Sequence, residues 1–188
     1  MIDPRTKPEI AHELRALHER STPFWDAFPT ADFLAPLGEA WSPADNVRHL
    51  NKSIRAVTRG LRVPRPLILL TIGPALRKSR SYAEIREVYH GVLARGADAG
   101  RFAPSPQKPP GDPEAWRREL MSLWAAAANG LEGALTPWSE RALDRCRMPH
   151  PLLGKLTVRE MLLFTLYHNL HHVRNVARRT GTAFVSEG

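Results

Sequence analysis

The chain has 188 residues, 43% of them apolar and 24% charged, and 27 lysines and arginines against 19 acidic residues leave a formal net charge of +8. This length suits one domain over residues 1–188 and is short for two. A single cysteine excludes an internal disulfide, no signal peptide opens the chain, and no apolar run is long enough to span a bilayer, so we expect a cytoplasmic protein.

The first predicted helix covers about residues 7–28, because apolar side chains recur there at intervals of three and four. His12 and His18 are six residues apart on this helix and therefore lie on different faces. We interpret both as ordinary, partly exposed histidines. Residues 33–41, which contain a proline and a glycine, are predicted to be a connector.

The second predicted helix has a clear start. Ser42 is a good N-cap, Pro43 suits the first helical position, and Asp45 occupies the N3 place of a capping box. The helix is expected to end near Leu61, before a proline.

This second helix divides into an apolar seam, a basic face and a stripe of small or polar side chains. The basic face is interpreted as solvated, which disfavours nucleic-acid binding. His49 lies on the small stripe and borders the core, where the neighbouring side chains are too small to fill space. A cavity is therefore predicted beside His49. The stripe consists of Asn46, His49, Ser53, Ala56 and Gly60.

An apolar run from Pro66 to Leu76 is flanked by basic residues. It is interpreted as a short helix or loop that covers the bundle, with an interfacial membrane anchor or an oligomer contact as alternatives. A helix from Ser81 to about Leu93 follows, with His90 beside its apolar seam as a core-edge residue. Residues 96–113 contain several prolines and are predicted to be an irregular loop.

Asp112 is predicted to cap a helix that continues to about Leu131, with an aromatic stripe that suits core packing. Residues 133–154 are predicted to be a second connector with one short helical piece. His150 stands there between two prolines and is interpreted as a turn residue.

The last predicted helix begins at a capping box formed by Thr157 and Glu160 and continues to about residue 179. His168 and His172 lie one turn apart on the same side of it, the i, i+4 relation that lets two imidazoles reach one metal ion. His171 is rotated outward with the charged residues, and we interpret it as a second-shell or surface residue.

Four principal amphipathic helices and almost no period-two alternation predict an all-α protein, an antiparallel four-helix bundle with extra short helices in the connectors. His49 lies about 10 Å along its helix at 1.5 Å per residue, and His172 lies a similar distance before the end of the last helix. If those two helices run antiparallel, His49, His168 and His172 reach the same level.

Three neutral imidazoles suit a divalent ion such as Zn, Ni or Fe(II) and leave a coordination position for water or substrate. An ion there lowers the pKa of water or a thiol and supplies a nucleophile at neutral pH. Asp45, one turn before His49, and Asn169, on the inner face of the last helix, are candidates for second-shell partners or substrate contacts.

Three segments carry a resemblance to a known family. They are WSPADNVRHL at 41–50, HPLLGKLT at 150–157 and YHNLHH at 167–172. In this order and spacing they resemble the DinB/YfiT-like superfamily. The resemblance implies a four-helix bundle, often dimeric, in which His49, His168 and His172 bind a divalent metal. It also implies thiol-dependent S-transferase or isomerase activity in some members, with bacillithiol, mycothiol or glutathione as the thiol.

The leading hypothesis is thus a metal-dependent enzyme that activates a thiol or water for an S-transferase or hydrolase reaction. Its expected partners are a small-molecule substrate, with a low-molecular-weight thiol as one candidate, and a second copy of the chain in a homodimer. The alternative is a non-catalytic binding or interaction module in which the histidines are satisfied core-edge residues or hold an inert ion. A third hypothesis, nucleic-acid binding through the excess arginines, predicts an affinity that falls steeply with salt.

Overall fold

The computed structural model describes residues 3–105 and 111–184. In that part of the chain it contains eight α-helices, a short 3₁₀ helix and a two-stranded sheet. In chain order the elements are α1 (Lys7–Asp26), α2 (Thr30–Leu34), α3 (Pro43–Leu61), α4 (Arg65–Thr71), α5 (Tyr82–Ala94), the 3₁₀ helix (Gly100–Phe102), α6 (Pro113–Leu135), α7 (Glu140–Arg145), β1 (Arg147–His150), β2 (Gly154–Thr157) and α8 (Val158–Thr180).

Four long helices form the predicted bundle. Helix α3 packs against α6 and α8, and α1 packs against the same two helices. Helix α5 lies against α8 as well and covers a further side of it. Residues that a helical wheel places on the outer side of α8, Glu160 and Tyr167, are consequently buried. These two residues are buried because α8 is the central helix and has neighbours on several sides.

The helix starts follow the capping residues. Complete capping boxes begin α1, α5 and α8, the last with Thr157 and Glu160 as predicted. Ser42 caps α3 by accepting from the backbone N–H of Asp45. The Asp45 carboxylate accepts from the Ser42 hydroxyl instead of the backbone N–H that a full capping box requires, so the predicted box is half formed.

The connector predicted at residues 133–154 contains structure that the sequence did not indicate. Strands β1 and β2 pair antiparallel, with Met148 opposite Leu156 and His150 opposite Gly154. Each strand has four residues, which is too short for alternation to stand out against the prolines. Short helical elements also interrupt the two other predicted connectors, as α2 and as the 3₁₀ helix.

The apolar run after α3 forms the short helix that the sequence predicts. Ile68 of α4 is buried in the core, whereas Leu70 and Leu76 are 83% and 96% exposed. Within the described residues, no helix has both the length and the apolar character to cross a membrane.

Candidate metal centre

Three histidine side chains from two helices converge inside the bundle. Helices α3 and α8 run antiparallel there, since Asn46 contacts His172 and the later His49 contacts the earlier His168. The Nε2 atom of His168 lies 3.0 Å from Nε2 of His49 and 3.2 Å from Nε2 of His172. This confirms the prediction that the three imidazoles lie at the same height along two antiparallel helices.

The spacing of these nitrogens suits one ion. Nitrogen ligands about 2.0 to 2.1 Å from a metal, at angles of about 90° to 110°, lie about 2.8 to 3.4 Å from one another. One ligand atom from each of His49, His168 and His172 lies within 4.8 Å of the others. The three histidines could therefore hold a metal ion.

The hydrogen bonds on the far side of two rings decide which nitrogen carries the proton. His49 Nδ1 lies 2.8 Å from the carbonyl oxygen of Phe102, and His172 Nδ1 lies 2.8 Å from Oδ1 of Asn46. The Asn46 amide nitrogen donates to the carbonyl of Ser42, so its oxygen faces the ring. Both Nδ1 atoms must donate, which leaves lone pairs on both Nε2 atoms, directed towards His168.

Such a cluster of lone pairs suits a cation at its centre. A single proton on His168 Nε2 could be shared with only one of the two facing lone pairs at a time, whereas one divalent ion accepts all three nitrogens. The donor set thus fits a metal, and it is the set of neutral imidazoles that borderline divalent ions prefer.

Burial keeps these rings neutral. It lowers the pKa of His49, an effect to which Lys52 adds and which the Phe102 carbonyl opposes. Burial also lowers the pKa of His168 and of His172 well below the usual value of 6.5, and the neighbouring histidines add to the effect. Neutral imidazoles bind metal without first releasing a proton.

A cavity of about 620 Å³ opens beside the three histidines. The small stripe of α3 forms part of its wall through Ser53, Ala56 and Gly60, which confirms the cavity predicted beside His49. The Trp41 ring also lines the cavity, with its centroid 5.1 Å from that of His49, and is stacked on His172 at 6.1 Å. The volume lies in the range of small-molecule sites.

The predicted second-shell candidates lie in three different places. The Asp45 carboxylate accepts from Arg48 and bonds no triad histidine within the described residues. Asn169 donates to the Thr165 carbonyl and lies at a second cavity of about 300 Å³ between α1, α6 and α8, so it does not orient the triad. His171 lines the first cavity, where the Asn175 amide donates to its Nε2 atom at 2.8 Å.

Some groups at the site escaped the sequence reasoning. Asn46 was noticed only as part of the small stripe, although its position three residues before His49 places both on one face. The carbonyl of Phe102 carries no signal in its side chain. His150 was interpreted as a turn residue, yet its ring lines the cavity. Its signal lay in the segment 150–157 that carries the family resemblance.

Fold and site together define a four-helix bundle protein with a histidine triad that could hold a metal ion between two facing helices. The sequence model of the DinB superfamily matches residues 13–176. The chain therefore belongs to the DinB superfamily.

A solved structure supports the same fold. It is the crystal structure of TT2238, a four-helix bundle protein, which is 19% identical and superposes with a TM-score of 0.59 over 92% of this chain and 99% of that one. None of the curated proteins compared matches the chain.

Proposed function

We propose that this protein is a metal-dependent enzyme in which His49, His168 and His172 hold a divalent ion, Zn, Ni or Fe(II), beside a small-molecule substrate. The observation that carries the proposal is the convergence of three Nε2 atoms, those of His49 and His172 unprotonated, on one point of the cavity wall. A divalent ion with three protein ligands keeps a position for a thiol or water and lowers its pKa, which supplies a nucleophile at neutral pH.

The residues around the triad support this use. Asn46 and the Phe102 carbonyl hold two of the rings in one orientation, as outer partners of metal ligands do. The rest of the cavity wall is largely apolar, with Val57, Ile68 and Phe164 among its residues. An apolar wall binds the body of an organic substrate and excludes bulk water from the nucleophile.

The reaction class that we propose is transfer to or from sulfur, or hydrolysis. In the transfer, a thiol loses its proton and its sulfur forms a bond to an electrophilic carbon, whose leaving group departs with the bonding electrons. In hydrolysis, water takes the place of the thiol. The proposed cosubstrate of the transfer is a low-molecular-weight thiol such as bacillithiol, mycothiol or glutathione.

Metal analysis tests the first part of the proposal. Protein purified without a nickel column should hold about one equivalent of a divalent metal, and His49→Ala, His168→Ala and His172→Ala should each lose most of it. The exposed His12 provides the matched control, and His12→Ala should keep the metal. Less than a few tenths of an equivalent in the wild type, unchanged in the triad variants, would remove the proposal.

Turnover separates an enzyme from a binding module. Wild-type protein should accelerate the reaction in which a thiol displaces chloride from chlorodinitrobenzene, or the hydrolysis of activated esters, and His172→Ala should abolish the acceleration while His12→Ala keeps it. A metal that is bound by the triad without any turnover of these or related compounds would support the non-catalytic alternative.

We also propose a homodimer, formed through an exposed apolar surface made of Leu67, Leu70 and Leu76. Their side chains are 47%, 83% and 96% exposed. Leu67 and Leu70 lie three residues apart on α4, and exposed apolar groups favour a protein contact. Light scattering on a sizing column should give twice the mass of one chain, and Leu70→Glu should halve it. Leu123→Glu, at a 41% exposed leucine of α6, is the control.

A further inference from the structure

His150, which the sequence predicts to be a turn residue, also lines the cavity, beside the triad and His171. His150 ends β1, and its ring lies 4.3 Å from that of Phe164 between centroids. The Phe164 ring in turn lies 5.1 Å from that of His168. His150 is thus one aromatic ring away from the triad, on the same cavity.

The hairpin turn determines the tautomer of this ring. The backbone N–H groups of Leu152 and Leu153 both donate to His150 Nδ1, at 3.2 and 3.1 Å. A nitrogen that accepts two N–H groups carries a lone pair, so the proton of the neutral ring is on Nε2. Burial lowers the pKa of His150 to about 4, which keeps the ring neutral at pH 7.

The Nε2–H group is available to a ligand. The Nε2 atom has no hydrogen-bond partner among the described residues. It is not fully buried either, so part of its surface is accessible. The ring lines the 620 Å³ cavity. A preorganised, neutral N–H donor therefore lies on a largely apolar wall.

We propose that His150 is a substrate-binding residue whose Nε2–H donates a hydrogen bond to the carbonyl oxygen of a mainly apolar small molecule in the cavity. This inference rests on the proposed function in one respect, that the cavity is the substrate site. A neutral N–H donor suits a neutral acceptor such as a carbonyl oxygen, because the two groups satisfy each other with one hydrogen bond and no buried charge is needed at that point of the wall. The guanidinium of Arg147, on the same hairpin, already donates to the backbone carbonyls of Ile72 and Gly73.

Two substitutions separate the two nitrogens of the ring. In His150→Asn, the side-chain oxygen takes the place of Nδ1 and keeps the contact with the turn, but no donor reaches the position of Nε2. In His150→Gln, the amide nitrogen takes the place of Nε2, and the acceptor for the turn is lost. The asparagine variant keeps the hairpin and decides the question even if the glutamine variant does not fold.

Acetophenone and ethylbenzene serve as probes, since they are similar in size and differ in one carbonyl oxygen. Their dissociation constants are measured on isotope-labelled protein, as purified and after addition of metal, from the amide signals of cavity residues such as Gly60. His150→Asn should shift the ratio of the two constants about three- to tenfold against acetophenone, the value of one net hydrogen bond. His150→Gln should recover part of the wild-type ratio. A ratio that is the same in the wild type and in His150→Asn would overturn the inference.

Ring nitrogen spectra test the tautomer independently of any ligand. The ¹⁵N signals of His150 should show a proton on Nε2 and none on Nδ1, and the opposite pattern would overturn the inference.

The metal analysis and the probe titration can fail independently of each other. Protein that holds no metal but shows the His150-dependent ketone preference would remove the proposed function and leave this inference standing. Protein that holds metal through the triad but shows no such preference would do the reverse.

Discussion

Asn46 Oδ1 accepts a hydrogen bond of 2.8 Å from His172 Nδ1, across the interface between α3 and α8. Two further hydrogen bonds, from the Asn46 amide nitrogen to the backbone carbonyls of Trp41 and Ser42, hold the amide in the orientation that presents its oxygen. Asn46, which is held by the start of α3, therefore determines that the proton of His172 lies on Nδ1.

We expect Asn46→Ala to weaken divalent-metal binding about 10- to 100-fold, as the loss of an outer partner of a ligating histidine commonly does. Competition with a coloured chelator measures the affinity. Ser53→Ala, on the same stripe and cavity but without a bond to the triad in the described residues, should bind metal like the wild type. An affinity of Asn46→Ala equal to that of Ser53→Ala would show that His172 needs no outer partner.

Arg48 does not contact the triad in the described residues, but it should affect metal binding indirectly. Its guanidinium donates to Asp45 at 2.8 Å and to the carbonyl of Ser105 at 2.9 Å, and so holds the segment whose Phe102 carbonyl contacts His49. Arg48→Ala should lower metal affinity about three- to tenfold, which corresponds to one net hydrogen bond. Arg55→Ala removes an exposed arginine of the same helix and should have no effect. Equal affinities of the two variants would contradict the prediction.

Gly60 of α3 lies against the Met148 side chain of the β-hairpin. A Cβ atom added there would lie 2.0 Å from the Met148 methyl, and both residues line the cavity. In Gly60→Ala we expect Met148 to turn into the cavity and to weaken binding of apolar probes. Stability should change by no more than about 1 kcal/mol, because alanine favours the helix by a similar amount. Thermal melting and probe titration measure the two effects.

The double variant Gly60→Ala, Met148→Ala is the test of that mechanism. It should bind probes at least as well as the wild type, because the displaced side chain is gone. Probe binding that stays weak in the double variant would show that Met148 does not enter the cavity.

Glu160 should make folding stability depend on acid pH. Its carboxylate is buried at the start of α8 and accepts from Arg77 and Arg80. Burial alone would raise its pKa, but the two arginines and the backbone N–H groups of Arg80 and Thr157 hold the pKa down to about 2. The folded pKa is below the unfolded one, so this stabilisation is complete above about pH 4.5 and is lost as the pH falls through 2.

We therefore expect Glu160→Gln to cost about 2 to 3 kcal/mol at pH 7, less than for a fully buried ion pair because Arg77 and Arg80 are partly exposed, and to flatten the loss of stability below pH 4.5. Urea unfolding at pH 7 and pH 3 measures both. Glu84→Gln changes the same capping position in α5, but that carboxylate is exposed, and its effect should be much smaller. Parallel pH profiles for wild type and Glu160→Gln would refute the role of this carboxylate.

The sequence by itself determined the long helices and the three nitrogen donors. Capping residues and prolines act within one turn of chain, so the starts of α3, α6 and α8 could be predicted from neighbouring residues alone. The i, i+4 spacing of His168 and His172 and the small stripe around His49 are likewise properties of single helices. They were sufficient to predict the triad and the cavity beside it.

Only the tertiary structure decided which groups surround the triad. A helical wheel gives the direction of a side chain from its own axis but not the helix that it meets, and Asn46 and His172 are 126 positions apart. For the same reason Asn169, on the predicted inner face of α8, lies at the second cavity instead of the first. The position of the His150 proton likewise depends on the hairpin. The N–H groups of its turn donate to Nδ1 and so leave the proton on Nε2.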